Sequence, residues 1–169
     1  MSLNARERGW GDCRKPDFRK NNIVSVKGGG VKVNVHKDLD LQTICFLTEL
    51  ENLHGKGSLA RDADDWGWNF RPIRGYEAKY KSTKSERYLS NHSWGVAIDV
   101  NSRTNPMGPK KTTFKEKETR ALCFKYGFSW GLDYQGARKD AMHFENLGTA
   151  ADARRRKAEL ARQLKALAK

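Results

Sequence analysis

The chain has 169 residues, which is enough for one domain with a hydrophobic core and too few for two ordinary domains joined by a linker. Its 33 basic residues outnumber its 20 acidic residues, so the formal net charge is +13. Such a charge attracts polyanions, whether nucleic acid, anionic membrane or another acidic polymer. Five Trp, seven Phe and five Tyr supply core material that disordered chains lack. The composition therefore excludes a disordered polypeptide and predicts a single globular unit.

The cysteines and the N-terminus indicate where the chain is made. Cys13, Cys45 and Cys123 are widely spaced and odd in number, so we expect neither a disulfide framework nor a thiolate metal site. Residues 1–10 carry no apolar run, so we expect no ordinary secretory signal. No apolar stretch reaches the length of a membrane-spanning helix. These features favour synthesis in a reducing cytoplasm.

The N-terminal third is predicted to contain one strand and one helix. Residues 1–30 are expected to form a loop-rich segment that ends in the turn Gly28–Gly30. Next comes a strand with three alternating apolar residues, Val31, Val33 and Val35. A helix is predicted over 38–53 and ends at Gly55. Its apolar positions are Leu41, Ile44, Cys45 and Thr48.

The middle of the chain alternates between predicted strands and a surface loop. The aromatic run at 66–70 suggests a strand that Pro72 ends. Residues 75–90 are polar and are expected to form a surface loop. Residues 96–100 form a β-branched run and predict a strand. Because side chains alternate along a strand, we expect Ala97 and Asp99 on the face opposite to the core residues Val96, Ile98 and Val100.

Two helices are predicted in the last third of the chain. Thr113 and Glu116 have the spacing of a capping box, which opens a helix that Gly127 closes. Residues 142–145 are a short strand candidate. From Ala150 to Lys169 a basic amphipathic helix is expected to dock through one stripe of leucines, Leu160, Leu164 and Leu167. We therefore divide the chain into an N-terminal segment (1–30), a main domain (31–148) and a C-terminal helix (149–169).

Two of these strands carry side chains that can bind a metal ion. Asp99 lies on the open face of the first strand, with His92 shortly before it, and His143 lies on the second. Two neutral imidazoles and one carboxylate leave a zinc ion one open position for water. This donor set suits zinc better than magnesium, which prefers oxygen. We therefore expect His92, Asp99 and His143 to bind Zn²⁺, and we leave His36 and His54 out of the site.

Attack of a metal-bound water on a carbonyl group also needs a base and a positive partner for the developing oxyanion. Asp140 lies three residues before His143 and is the candidate acid/base. Arg71 is the first candidate for the positive partner and Arg74 the second. Ser90 is a candidate substrate-binding residue, with local capping of the chain as the alternative. Trp94 and Trp130 could line a groove, but we expect them in the core.

Two stretches of the chain resemble a known family of zinc peptidases. Ser90–Asp99 is similar to the S-x-H-x-x-G-x-A-x-D signature, and Asp140–Glu145 to the (D/E)-x-x-H signature, of zinc D-Ala-D-Ala carboxypeptidases. That family includes vancomycin-resistance D,D-dipeptidases and the L-alanyl-D-glutamate peptidases of phage endolysins, and the phage branch resembles this chain best. The resemblance covers about 31–145. The stretch 68–75 departs from the G-Y-R-S form common in the family, which leaves the choice between Arg71 and Arg74 open.

The resemblance implies the fold, the cofactor and the role of each site residue. The family fold is α+β, with a small antiparallel sheet, flanking helices and the zinc site on the open face of the sheet, as in hedgehog and D-Ala-D-Ala peptidase-like proteins. His92, Asp99 and His143 would bind zinc, Asp140 would be the acid/base, and an upstream arginine would assist the substrate carbonyl. The implied partner is bacterial peptidoglycan, with anionic wall polymers as a further candidate and no requirement for nucleic acid.

Three functions remain open at this point. The first is an endolysin-type peptidoglycan hydrolase that cuts L-alanyl-D-glutamate bonds and acts as a monomer. It would be made in the host cytoplasm and would reach the wall after holin-type release or from a virion. The second is a D-Ala-D-Ala carboxypeptidase or dipeptidase. The third is a non-catalytic polyanion-binding protein, which would have no use for Asp140 beside a full ligand set.

Overall fold

The computed structural model describes residues 3–59, 66–108 and 111–168, and the helices and strands are built from these residues. The strands are β1 (Ile23–Gly28), β2 (Val31–His36), β3 (Ala97–Asp99), β4 (Ser129–Trp130) and β5 (His143–Glu145). The α-helices are α1 (Phe18–Asn22), α2 (Asp40–His54), α3 (Glu77–Thr83), α4 (Glu116–Tyr126) and α5 (Ala150–Leu167). The strands form two small antiparallel sheets, β1-β2 and β3-β5-β4. The expected α+β class with a small antiparallel sheet and flanking helices is confirmed.

The N-terminal segment has more regular structure than its composition suggested. Residues 1–30 were expected to be loop-rich, but they contain a π-helical turn at Arg6–Trp10, the helix α1 and the strand β1. The glycine turn does not lead into β2 from a loop. It joins β1 to β2 as a hairpin, with φ of +55° at Gly29 and +81° at Gly30. The expectation was wrong because the alternation of Ile23 to Val26 is short and only pairing with β2 makes it a strand.

The three-stranded sheet has one face on the core, and β3 and β5 present their other face away from it. Asp99 pairs with His143 across these strands, and Ile98 pairs with Phe144. Ile98 and Phe144 belong to the main core cluster, where Phe144 stacks on Trp130 at 5.8 Å between ring centroids. Because side chains alternate, Asp99 and His143 share the other face. The predicted strands at 96–100 and 142–145 are confirmed, although each is three residues long.

Helix α2 packs on both the hairpin and α4, and its buried face differs from the expected one. The buried residues are Gln42, Thr43, Phe46, Leu47 and Leu50, whereas Leu41, Ile44 and Cys45 are half-buried and Thr48 is exposed. The hairpin sets this rotation because Gly28 lies against the helix backbone, where an added Cβ would come within 2.6 Å of the Ile44 carbonyl oxygen. The periodicity of the sequence therefore predicts the position of the helix correctly, but it assigns the buried face to residues next to those that are buried.

Two expectations for the middle of the chain were wrong. The aromatic run is not a strand, because it pairs with the rest of the protein at isolated bridges, Trp66 with Asp99 and Pro72 with Leu89. Residues 75–90 are not a loop, because they contain α3 and a 3₁₀ turn at Glu86–Tyr88. Helix α3 buries none of its residues, so its sequence lacks the apolar stripe by which helices are usually found.

The ends of α4 and the docking of α5 also correct the sequence analysis. Thr113 does not cap α4, because its hydroxyl and amide contact the Asn105 side chain, and α4 begins at Glu116 without a side-chain cap. Gly127 closes α4 with φ +74°, as predicted. Helix α5 docks through its first turns, where Ala150 and Ala153 are buried. Leu160 is partly buried against the core, Leu164 is 45% exposed and Leu167 is 85% exposed.

Three further observations concern the cysteines, the helices and two of the tryptophans. Cys13, Cys45 and Cys123 are free thiols. Among the described residues, no helix combines the length and the apolar character that crossing a membrane requires. Trp94 and Trp130 are buried in the two core clusters, as expected.

Candidate metal centre

The strand pair β3 and β5 brings two of the candidate ligands together. Asp99 is the last residue of β3 and His143 the first of β5, and the antiparallel register places them opposite each other. The His143 Nδ1 atom lies 2.9 Å from Asp99 Oδ1. Both side chains are buried, so the pair lies below the surface of the sheet face.

A short 3₁₀ turn, Asn91–Trp94, supplies the third candidate ligand. The Ser90 hydroxyl caps this turn by accepting from the His92 amide at 3.4 Å. Ser90 therefore has the capping role, which was the alternative to substrate binding. Gly95 ends the turn with φ +69° and lies so close to β2 that an added Cβ would come within 2.7 Å of the His36 amide nitrogen. Only glycine lets the chain enter β3 there with His92 facing Asp99.

The donor atoms of His92, Asp99 and His143 lie within 4.8 Å of one another. His92 Nε2 is 3.3 Å from His143 Nδ1 and 3.3 Å from Asp99 Oδ2. Ligands at zinc distances of ~2.0–2.2 Å in a tetrahedron lie about 3.3 Å apart. The arrangement therefore fits a zinc ion held by two imidazoles and one carboxylate, as the sequence predicts.

The aromatic run 66–70 holds His92 in the form that a metal needs. The His92 Nδ1 atom lies 2.7 Å from the Gly67 carbonyl oxygen. A carbonyl can only accept, so Nδ1 carries the proton and Nε2 faces the other ligands with a lone pair. The run is anchored by Trp66, whose amide and carbonyl both bond to Asp99. The run was expected to be a strand, and nothing in the sequence indicated its contact with the site.

Glu145 plays the corresponding part for His143. It lies two residues further along β5, on the same face, with its Oε2 atom 3.3 Å from His143 Nε2. The Tyr134 hydroxyl donates a hydrogen bond to Glu145 Oε1. The Asn91 side-chain amide donates one to Oε2 at 2.5 Å. A carboxylate at Nε2 leaves Nδ1 free to face the metal. The strand spacing could have revealed Glu145, whereas no sequence signal identified Tyr134 or Asn91.

Asp140 is a half-buried carboxyl group with one buried, unpartnered oxygen. Its Oδ1 atom has no hydrogen-bond partner among the residues that the structure describes. Burial raises the pKa of Asp140 to about 6, with a further contribution from the Asp99 charge and opposition from His143 and His92. Its backbone is fixed by two hydrogen bonds, from its own amide to Gly131 and from the His143 amide to its carbonyl. A carboxyl group in this state can exchange a proton near neutral pH.

The structure distinguishes the two candidate arginines. Arg71 contacts the site region through its backbone, since its carbonyl accepts from the Ser90 amide and the Ser93 hydroxyl, each at 3.0 Å. The charge of Arg74 is the one that acts on Asp140 and lowers its pKa. Arg74 is exposed and its Nη1 lies 3.6 Å from the Met107 sulphur. The electrostatic effect on Asp140 therefore favours Arg74, the second candidate from the sequence, as the positive group of the site.

The remaining histidines lie away from the site. His36 is buried against Trp10, at 5.0 Å between ring centroids, and burial lowers its pKa to about 4. His54 ends α2 and packs on Phe114. Both residues are therefore structural, as expected.

We expect zinc binding to strengthen with pH, because the metal competes with a proton on His143. Burial alone would lower the pKa of His143, but the carboxylates of Asp99 and Glu145 raise it to about 10. The protonated imidazole therefore stabilises the metal-free fold fully below the ordinary pKa of 6.5, and this effect is lost as the pH rises through about 10. Between those values, the apparent zinc affinity should rise about tenfold per pH unit.

Chelator competition at pH 6.5, 7.5 and 8.5 measures this dependence. The matched control replaces exposed Glu77 with glutamine, which leaves the site intact and should show the same slope. A flat affinity across this range would show that His143 is already neutral in the metal-free protein.

The comparison with protein families agrees with the geometry. Residues 83–146 match the family model described as D-alanyl-D-alanine carboxypeptidase. The match contains His92, Asp99, Asp140 and His143, and it leaves out the aromatic run and both candidate arginines. It confirms the resemblance to the zinc D-Ala-D-Ala peptidases. No curated protein and no solved structure matches the chain significantly.

Proposed function

We propose that the protein is a zinc peptidase of the bacterial cell wall that cuts a peptide bond of the peptidoglycan stem peptide. The match of residues 83–146 to the family model described as D-alanyl-D-alanine carboxypeptidase supports this class of activity. One observation carries the proposal. Two imidazoles and a carboxylate converge within 4.8 Å, beside the half-buried Asp140, one of whose oxygens has no partner among the described residues. A structural zinc site has no use for the second feature.

The residues divide the work of hydrolysis between them. His92, Asp99 and His143 would hold Zn²⁺, which when bound polarises the peptide carbonyl and acidifies water. Asp140 takes the proton of the attacking water on its free oxygen and returns it to the leaving amine. Arg74, whose charge acts on Asp140, would supply positive charge for the carbonyl oxygen as that oxygen becomes negative. Gly67 and Glu145 keep the two imidazoles in the required tautomers.

Within this class, we propose that the scissile bond is L-alanyl-D-glutamate, as in an endolysin. An endopeptidase must accommodate chain on both sides of the bond. The run that holds His92 ends in exposed aromatic side chains, Trp66 at 49% and Phe70 at 40% exposure, which offer surface beyond the metal. The net charge of +13 suits an anionic wall. The protein would act as a monomer and would reach the wall by holin-type release or from a virion.

Digestion of purified sacculi tests both levels of the proposal. Mass spectrometry of the fragments should find new N-terminal D-glutamate ends, and the ends should disappear when a chelator is present. The Asp140→Asn variant is the matched control, since it keeps the ligands and removes the base. Intact sacculi from several wall types would contradict the peptidase, whatever the bond.

A D-Ala-D-Ala carboxypeptidase is the second candidate, because the matching family carries that description. The same digests separate the two activities. Released D-alanine or D-alanyl-D-alanine, without new D-glutamate ends, would favour the carboxypeptidase. A polyanion-binding protein is disfavoured by the partnerless oxygen of Asp140.

A further inference from the structure

Arg8 is a buried arginine on the N-terminal π-helical turn, outside the residues that match the family. The turn is buried at both ends, since Ala5, which precedes it, and Trp10, its last residue, are each 1% exposed. Trp10 donates to the Gly148 carbonyl at 3.1 Å, which ties the turn to the chain that follows β5. Burying a guanidinium is costly unless its donors are used, so its contacts require an explanation.

The guanidinium joins the two chain segments that carry the histidine ligands. Nη1 donates to the Asn146 carbonyl at 2.7 Å and to the Gly148 carbonyl at 3.1 Å, just after β5. Nη2 donates to Asn91 Oδ1 at 3.0 Å, just before His92. The planar fork of arginine allows these bonds to be made in two directions at once.

Hydrogen-bond polarity then extends this contact to the metal site. Arginine can only donate, so it requires the oxygen of the Asn91 amide and turns the NH₂ group toward Glu145, at 2.5 Å from Oε2. The Glu145 carboxylate can only accept, and it faces Nε2 of His143 at 3.3 Å. Each link allows only this polarity. Without the guanidinium, the Asn91 oxygen would lose the donor that holds it, and the orientation of the amide would depend on Glu145 alone.

The charges of Arg8 and Glu145 also link the N-terminal turn to the metal site. When His143 is a neutral ligand, Glu145 still carries its negative charge in a buried position. Arg8 interacts electrostatically with Glu145 and is also buried, so the two charges compensate each other.

We infer that Arg8 is a positioning residue for the metal ligand His143, acting through Asn91 and Glu145. The inference rests on the proposed zinc site. It makes the N-terminal turn part of the metal-binding apparatus, although this turn lies outside the family match. The zinc affinity, rather than the stability of the fold alone, should therefore depend on Arg8.

A double-mutant cycle on zinc affinity tests the inference. Arg8→Met keeps the length of the side chain and removes every donor, and Glu145→Gln removes the carboxylate. Each change should weaken zinc binding about 10-fold to 100-fold, the usual effect of losing a residue that holds a ligand. If Arg8 acts through Glu145, the double variant should bind zinc much more tightly than the product of the two single losses predicts.

The control is Arg6→Met, on the same turn, because Arg6 points outward to Glu86 and Asp12. It should change zinc affinity less than about threefold. If Arg8→Met does not fold, Arg8→Lys takes its place in the cycle, since it keeps the buried charge but not the planar fork.

The outcomes separate this inference from the proposed function. Unchanged affinity in a folded Arg8 variant, or single losses that multiply in the double variant, would overturn the inference alone. A wild-type protein that binds no stoichiometric zinc would overturn the metal site and the inference with it.

Discussion

Replacing His143 with alanine is expected to lower zinc affinity by more than about 100-fold, beyond the effect of losing a residue that only holds a ligand. Hydrolysis of wall peptides should disappear with the metal. His143 Nδ1 is the donor that lies close to both Asp99 and His92, so the remaining two ligands cannot compensate. The metal-free fold should also lose stability, because Asp99 and Glu145 are left buried without the imidazole between them.

Isothermal titration with Zn²⁺ and thermal unfolding with and without the metal measure these effects. Asp99→Asn provides a second variant of nearly unchanged shape, which removes the anionic ligand. His54→Ala is the matched control, since His54 packs on Phe114 at the end of α2. Zinc binding by His143→Ala at the wild-type affinity would show that the ion lies elsewhere.

Asp140→Asn should lower kcat by about 10²-fold to 10⁴-fold, the usual contribution of a general acid/base. Zinc affinity should stay within about threefold of the wild type, because Asp140 is outside the ligand set. The metal-free variant should also unfold at a higher temperature at pH 7. The folded pKa of about 6 lies above the unfolded value, so ionisation of this carboxyl destabilises the wild type as the pH rises through that range. Asparagine does not ionise.

The wild-type pH profile gives an independent measurement of the same group. A base must be ionised to work, so kcat/KM should fall as the pH drops below about 6, or somewhat lower when the zinc charge stabilises the carboxylate. Asp133→Asn is the matched control, because Asp133 is exposed on the neighbouring turn and pairs with Arg120. Turnover by Asp140→Asn at the wild-type rate would remove Asp140 from the mechanism.

The sequence was most informative where local spacing determines geometry. Asp99 and His143 could be grouped because two short strands with alternating side chains place them on one face, and His92 was added because it lies shortly before Asp99. The structure brings the three residues together. The helix closed by Gly127 followed from local chemistry in the same way. At these positions, the nearest neighbours in the chain decide the conformation.

Features that depend on distant contacts were missed or misplaced. Thr113 has the spacing of a helix cap relative to Glu116, but its hydroxyl is hydrogen-bonded to the Asn105 side chain instead. The stripe Leu160, Leu164 and Leu167 suggested docking, but the alanines Ala150 and Ala153 allow the closer approach. Arg71 and Arg74 could not be distinguished without knowing which one lies near Asp140. Arg8 and Tyr134 had no signal, because their partners lie elsewhere in the chain.

The wide separation of the site residues along the chain also affects the order of folding and metal binding. Arg8 bonds to a carbonyl 138 positions away, and the two histidines are 51 positions apart. Contacts of such long range form late in folding, because loop closure must come first. We therefore expect the zinc ion to bind when the chain is already nearly folded. It would stabilise the folded state rather than initiate folding.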